Sequence, residues 1–226
     1  MSKRGRKPLG KTSTRWTPEL AYAVGLLATD GNLSKDERHM DFTSKDKSLV
    51  ITFQNCLGLE NKIGKKSSGY TNQKDYFHSQ FGDVLFYRWL LGLGLKPNKS
   101  KTLGRLKIPD RYFFDFFRGC FDGDGSVYAY WDPRWHSSYM FYLTIASSSP
   151  AFLKYLQDSL ENLVGIQGKI SAGGRGSLHL RFAKKDTQIL VKKMYYADSV
   201  PKLERKFTKI EKIFRINQSH NIGDKP

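Results

Sequence analysis

Acidic residues, cysteine and histidine are all scarce in this 226-residue chain, which has 21 Asp and Glu against 38 Lys and Arg, two Cys and five His. The two cysteines, Cys56 and Cys120, exclude a disulfide-framed fold and fit the buried thiols of an intracellular protein. Neither has a second Cys or a His at zinc-ligand spacing, which sets aside a structural zinc site. No run of about 18 apolar residues occurs, so neither a transmembrane helix nor a membrane partner is expected. The basic N-terminus (Lys3, Arg4, Arg6, Lys7, Lys11, Arg15) has no apolar segment behind it and does not read as a secretory signal. What the shortage of acids leaves is a formal charge of +17. Self-repulsion of that size stabilises no fold, and it points to a polyanionic partner. The charge comes with 14% aromatic residues and strand-like segments rather than in one tail, and 39% hydrophobic content is enough for a sizeable core.

The same order of elements is written twice. An apolar helical stretch runs from Pro18 through Leu20-Ala21-Tyr22-Ala23-Val24-Gly25-Leu26-Leu27-Ala28 and stops at Asp30-Gly31. Another runs from Pro109 through Tyr112-Phe113-Phe114 and Phe116-Phe117 to Cys120-Phe121, and stops at Asp124-Gly125. Each is followed by an alternating segment that predicts a hairpin, 32–43 and 127–145, the second with Tyr139, Phe141, Leu143 and Ile145 on one face. A helix follows in each half, the second with Ser149 as N-cap before Pro150. Two further strands, ending near 81 and 182, and a closing helix, 83–93 and 186–196, complete each half. The expected fold is α+β: two pseudo-symmetric α-β-β-α-β-β-α repeats forming a saddle of antiparallel sheets, with the first helices packed at a central seam. The expected boundaries are a flexible basic tail over 1–15, repeats over 16–95 and 108–212, a linker over 96–107, and a C-terminal tail over 213–226.

Asp is a poor residue at a helix C-terminus, where it meets like charge, yet both repeats place one there. Gly31 and Gly125 explain the turn, by the preference of a left-handed residue for glycine, but not the acids. If the repeats pair about a two-fold axis, Asp30 and Asp124 come to one end, and the small residues Ala21, Gly25 and Ala28 let the helices approach. Two carboxylates beside two helix C-termini require a cation, and hard oxygen ligands with positions left open suit Mg²⁺. An EF-hand over Asp122-Gly123-Asp124-Gly125-Ser126 is excluded, because Val127 and Pro133 stand where that loop needs glycine and glutamate.

Ala23-Val24-Gly25-Leu26-Leu27-Ala28-Thr29-Asp30-Gly31 and Phe117-Arg118-Gly119-Cys120-Phe121-Asp122-Gly123-Asp124-Gly125 resemble the two motifs of the LAGLIDADG homing endonucleases, and the repeat order extends the resemblance over residues 16–212. The resemblance implies a double-strand DNA endonuclease in which Asp30 and Asp124 bind metal, with the carbonyls of Thr29 and Gly123 as further ligands. It implies Mg²⁺ as cofactor, Mn²⁺ as substitute, and Ca²⁺ as support for binding alone. The first motif departs by carrying Ala28 where the second has Asp122, a position that is not the metal acid in the family. By the same resemblance Lys99 and Lys206 are the basic helpers at the phosphate, and Ser44 and Ser147 hold the place of a water-positioning residue. Outward strand residues would read DNA. In the first repeat these are Arg38, Lys62, Tyr70, Asn72, Gln73, Lys74 and His78. In the second they are Tyr128, Tyr130, Arg134, His136, Arg175, His179 and Arg181. The expected particle is a monomer on double-stranded DNA, located with the DNA it cuts. The alternatives on the same scaffold are a maturase that binds intron RNA and a non-cleaving DNA-binding regulator.

Overall fold

The structure is a computed structural model that describes residues 10–67, 75–174 and 176–223, without the side chains of 136 and 220–223. The first repeat runs α1 (Pro18–Thr29), β1 (Gly31–Leu33), β2 (His39–Ser44), α2 (Lys47–Leu57), β3 (Gly64–Lys66), β4 (Tyr76–Gly82) and α3 (Val84–Leu93). The second runs α4 (Phe113–Asp124), β5 (Gly125–Asp132), β6 (Trp135–Ser147), α5 (Pro150–Val164), β7 (Lys169–Gly174), β8 (Ser177–Phe182) and α6 (Lys184–Met194). A last helix, α7 (Glu204–Gly223), follows. The α-β-β-α-β-β-α order is as expected in both halves. Each half folds into one antiparallel four-stranded sheet, ordered β1-β2-β4-β3 and β5-β6-β8-β7. The registers superpose: Gly31 pairs with Phe42 as Gly125 pairs with Ile145, and Ser44 pairs with Phe77 as Ser147 pairs with Leu178.

Helix α1 begins at Thr17, whose hydroxyl accepts from Leu20 N at 3.1 Å, with Pro18 at the first helical position. Every residue from Leu20 to Ala28 is buried, so this helix is covered on all sides rather than amphipathic. Its principal partner is α4. The two cross where Gly25 meets Gly119. A Cβ on Gly25 would lie 2.2 Å from the Phe116 carbonyl oxygen, and one on Gly119 would lie 2.2 Å from that of Tyr22. Backbone therefore packs on backbone, and the expected role of Gly25 needs Gly119 as its counterpart. Met40, Phe42, Phe53, Phe81 and Phe86 fill the first repeat, and Phe141, Leu143, Ile145, Phe152 and Phe182 fill the second.

Four expectations change. Gly125 is extended (φ −89°) and Gly31 opens β1, so neither supplies a left-handed turn; both are required by close approach, a Cβ falling 2.6 Å from Leu27 Cα and 2.4 Å from Phe121 Cδ2. Residues 10–12 are not a free tail: the amides of Lys11 and Thr12 donate to Asp83 Oδ2 at 2.6 and 2.9 Å, while Asp83 Oδ1 caps α3 through Leu85 N and Phe86 N. Burial alone would raise the Asp83 carboxyl, but these four donors outweigh it and hold it below its usual range. The expected boundary at 212–213 falls inside α7, which continues to Gly223 with Ile210, Ile213 and Asn217 buried. Finally, Ser149 stands at the N-cap of α5 but its hydroxyl makes no cap bond; it donates to Leu103 O at 2.5 Å and ties the linker to the second repeat. Of the two thiols, Cys120 is buried at the seam and Cys56 is half-buried.

Candidate metal centre and nucleic-acid face

Helix α1 ends at Thr29 and α4 at Asp124, so the seam delivers Asp30 and Asp124 to one end of the helix pair. The Asp30 carboxylate packs on the opposite motif: its Oδ2 lies 3.2 Å from where a Cβ on Gly123 would stand, and Thr29 Oγ1 lies 2.0 Å from that point. Only glycine at 123 leaves room for both. The two acids reach the surface, yet dense surroundings strip enough water to matter. Desolvation first, and then the charge of Asp124, push Asp30 up to about 7 against the pull of Lys206 and Lys99. Asp124 is raised by desolvation against the same two lysines.

Both predicted lysines are at this end, and both are buried. Lys99, in a short 3₁₀ turn (Lys99–Lys101), donates to Thr29 O at 3.2 Å and Gly31 O at 2.5 Å. Lys206, on the first turn of α7, reaches the carbonyls of Phe121, Asp122, Gly123 and Gly125 at 2.7, 2.8, 3.1 and 2.7 Å. Each ammonium neutralises the C-terminus of a motif helix. An ammonium has three donors, so Lys206 has none to spare, whereas Lys99 retains one. Burial lowers Lys206 to about 8 against the pull of Asp122, and lowers Lys99 against Asp124 and Asp30.

Asp122, which the resemblance does not make a metal acid, anchors the Lys206 side. Its Oδ2 accepts from Tyr22 OH across the seam at 2.7 Å and from Leu203 N just before α7 at 2.8 Å. The first repeat has Ala28 at that place, so the two halves of the centre are held differently. A cavity of about 110 Å³ joins Ser147 to Ala28, Thr29, Lys99 and Asp124. Ser44 and Ser147 share a local role: each hydroxyl accepts, at 3.1 Å, the amide two residues on, Asp46 N and Ser149 N. Those bonds shape the turns into α2 and α5. Among the described residues no cluster of three or more His, Cys, Asp and Glu forms. The oxygen donors at the seam are therefore two carboxylates and the nearby carbonyls, a set that fits a hard cation keeping several waters.

On the outer face of the second sheet Tyr128, Tyr130 and Tyr142 stack, with centroids 5.2–6.5 Å apart and planes within 17°. The Arg181 guanidinium lies 5.8 and 5.9 Å from the Tyr128 and Tyr142 rings. Tyr142 was not among the sequence candidates, although it alternates with the buried Phe141 and Leu143. Arg134 is tied to Asp132 at the hairpin end, by Nε at 3.1 Å and Nη2 at 3.0 Å. In the first sheet His78 Nδ1 lies 3.0 Å from Asp41 Oδ1, and Lys66 holds the other oxygen at 3.1 Å. His179 takes the equivalent place in the second sheet, pairing with Ser171 and Ala146. Arg38 and Lys62 are exposed. Tyr70, Asn72, Gln73, Lys74 and Arg175, and the side chain of His136, lie outside the described residues. No helix among the described residues is long and apolar enough to cross a membrane.

Two α-β-β-α-β-β-α units, joined through their first helices and ending together on two acids, define a two-repeat fold with one composite centre. Residues 113–194 match the LAGLIDADG-like domain family, and the likeness to solved structures shows the same fold carried twice along the chain. No curated protein sequence matches it. Among solved structures it is similar to the LAGLIDADG meganuclease I-AabMI bound to uncleaved DNA, with 13% identity, 92% of each chain covered and a TM-score of 0.61. It is similar to the N-terminal LAGLIDADG domain of DUF199/WhiA, with 17% identity, coverage of 88% of this chain and 89% of that one, and a TM-score of 0.55. It also resembles a variant of the endonuclease I-DmoI in complex with its target DNA in the presence of manganese, with 15% identity, coverage of 81% and 96%, and a TM-score of 0.51.

Proposed function

We propose that the protein is a divalent-metal-dependent, site-specific DNA endonuclease that breaks both strands near the centre of a long target. The observation that carries this reading is the meeting of Asp30 and Asp124, one from each repeat, between two buried lysines. Asp30 and Asp124, with the carbonyls of Thr29 and Gly123, would hold Mg²⁺ or Mn²⁺. When bound, such an ion supplies a polarised water and charge stabilisation for the leaving oxygen of a phosphodiester. The spare donor of Lys99 would meet a phosphate oxygen, while Lys206 holds the second motif turn. Ca²⁺, which accepts looser coordination, supports binding without cutting.

The reading is tested by selecting cleaved sites from a randomised DNA library with Mg²⁺, alongside Ca²⁺ as a binding-only arm. The two outer faces differ: one carries His78, Asp41 and Lys66, the other a tyrosine stack under Arg181. Unlike donors and acceptors do not prefer the same bases, and one good bidentate contact discriminates by about 1–3 kcal/mol. The expected selection is an asymmetric site bound by a monomer, checked by sedimentation on the selected DNA. A dimer on a palindrome contradicts it.

The charge of +17 gives a second measurement. If about ten phosphates are neutralised, log affinity falls against log salt with a slope of about −9. A slope shallower than about −3 would mean that the charge is not a DNA footprint.

The lysines should separate. Lys99→Met is expected to slow cutting by about tenfold or more, as loss of a charge-stabilising donor does, with a small change in melting temperature. Lys206→Met leaves four turn carbonyls without their cation, and its first effect is on stability. Thermal melts beside single-turnover cleavage distinguish the two, and identical behaviour in both assays refutes the split.

A second reading, DNA binding without cutting, is favoured by the same carbonyl contacts, since Thr29 O and Gly123 O already face ammonium groups. Mg²⁺-dependent cleavage in the library selection eliminates it.

A further inference from the structure

A cavity of about 580 Å³ lies away from the acids. It opens at the other end of the motif helices, lined by Pro18 of α1, Tyr112, Phe114 and Asp115 at the start of α4, and Lys192 and Tyr196 from α6 and its end. Asp115 and Asp124 are nine residues apart on α4, about 14 Å at the helical rise. The volume falls within the roughly 300–1,000 Å³ of small-ligand pockets.

Three kinds of group converge there. Phe114 and Tyr196 offer aromatic faces, and Tyr196 is 55% exposed. Three cations line the wall: Arg111, with its guanidinium 4.8 Å from the Tyr112 ring, Lys192, and Lys193, with its ammonium 6.0 Å from the Phe114 ring. Asp115, at 3% exposure, is the buried carboxylate. Its charge is met by Arg118, whose Nη2 donates to Oδ1 at 2.7 Å, and Tyr196 OH donates to the same oxygen at 3.0 Å. Among the described residues Oδ2 takes no bond. The cavity thus presents π faces, a free carboxylate acceptor and an unneutralised cationic wall, beside the positive ends of two helices.

We propose that this cavity binds a nucleotide, with an amino-bearing base against Phe114 and Tyr196, its amino group on Asp115 Oδ2, and its phosphate on Arg111, Lys192 and Lys193. Bases stack on aromatic side chains irrespective of sequence, a carboxylate selects bases that carry an N–H₂ donor, and Arg and Lys take the phosphate. The same chemistry is offered by a free nucleotide and by one unpaired nucleotide of a strand. The site lies outside the DNA-cutting reading and does not depend on it.

Isothermal titration of the full chain with AMP, GMP, UMP, inorganic phosphate and a short single-stranded oligoadenylate tests this. AMP and GMP are expected to bind at least about tenfold more tightly than UMP or phosphate. Tyr196→Ala and Lys192→Glu/Lys193→Glu should each weaken AMP binding about tenfold or more, the exposed lysine pair with unchanged melting temperature. Oligoadenylate binding far more tightly than AMP identifies a strand as the source; equal binding identifies the free nucleotide. Phosphate binding as tightly as AMP, no binding of AMP and oligoadenylate alike at millimolar concentration, or variants that bind like the parent each overturn the proposal.

Discussion

Asp30→Asn and Asp124→Asn should each abolish double-strand cutting while leaving the fold and DNA binding in place. Each change removes a negatively charged oxygen from the set that would hold the cation. Losing even an outer partner of a catalytic metal costs about 10–100-fold, so loss of a direct carboxylate is expected to exceed a hundredfold. Neither change should unfold the protein, because both acids are held against their preference. Desolvation and the neighbouring Asp124 bring Asp30 to about 7, and Asp124 is raised as well. The sign for stability follows. In the metal-free protein the folded state holds a proton on Asp30 more tightly than the unfolded chain, whose value is about 3.9. That contribution is fully present below about pH 4 and is lost as pH rises through about 7. Asp30→Asn should therefore flatten the decline in melting temperature over that window, and a divalent cation should reverse the decline in the parent. Single-turnover cleavage in Mg²⁺ and melts in chelator measure the two effects. Near-parental cutting by either variant would sink the site assignment.

The repeat, the two Asp-Gly stops and the sheet elements were legible because they depend on chain-local signals: apolar runs, alternation and breakers. Lys99 and Lys206 were legible by resemblance, but their burial was not, since nothing in Leu95-Lys96-Pro97 or Leu203-Glu204-Arg205 shows that a lysine folds under a helix end. The turn bonds of Ser44 and Ser147 are not legible, because a hydroxyl that accepts the amide two residues on looks the same in sequence as one facing water. The boundary at 212 falls inside α7, although Ile210, Ile213 and Asn217 repeat at helical spacing. The anchoring role of Asp122 is not legible, because its partners, Tyr22 and Leu203, are 100 and 81 residues away. The cavity at Asp115 was invisible for the same reason, as its walls come from three separated helices.

The seam itself carries the largest expected effect on stability. Gly25 and Gly119 place each helix's Cα against the other's backbone, with the opposing Cα 2.9–3.0 Å from the position a Cβ would take. A methyl group at Gly119 would fall 2.2 Å from the Tyr22 carbonyl oxygen. No side chain can swing away there, because the obstacle is main chain, so the helices must separate along their length. Alanine normally favours a helix over glycine by about 1 kcal/mol, and overpacking in a close-packed core costs about 1–3 kcal/mol or more. With backbone as the obstacle the second term dominates, and Gly119→Ala should destabilise by about 3 kcal/mol or more. For a chain of this size that is a fall of about 6–12 °C in melting temperature. Cutting should fall with it even at temperatures where the variant is folded, because separation of the helices also separates Asp30 from Asp124. The matched control is Gly92→Ala in α3, where a Cβ meets nothing within 4 Å; the same substitution there should be neutral or stabilising by up to about 1 kcal/mol. If Gly119→Ala melts with the parent while Gly92→Ala behaves as stated, the two motif helices do not cross at these glycines.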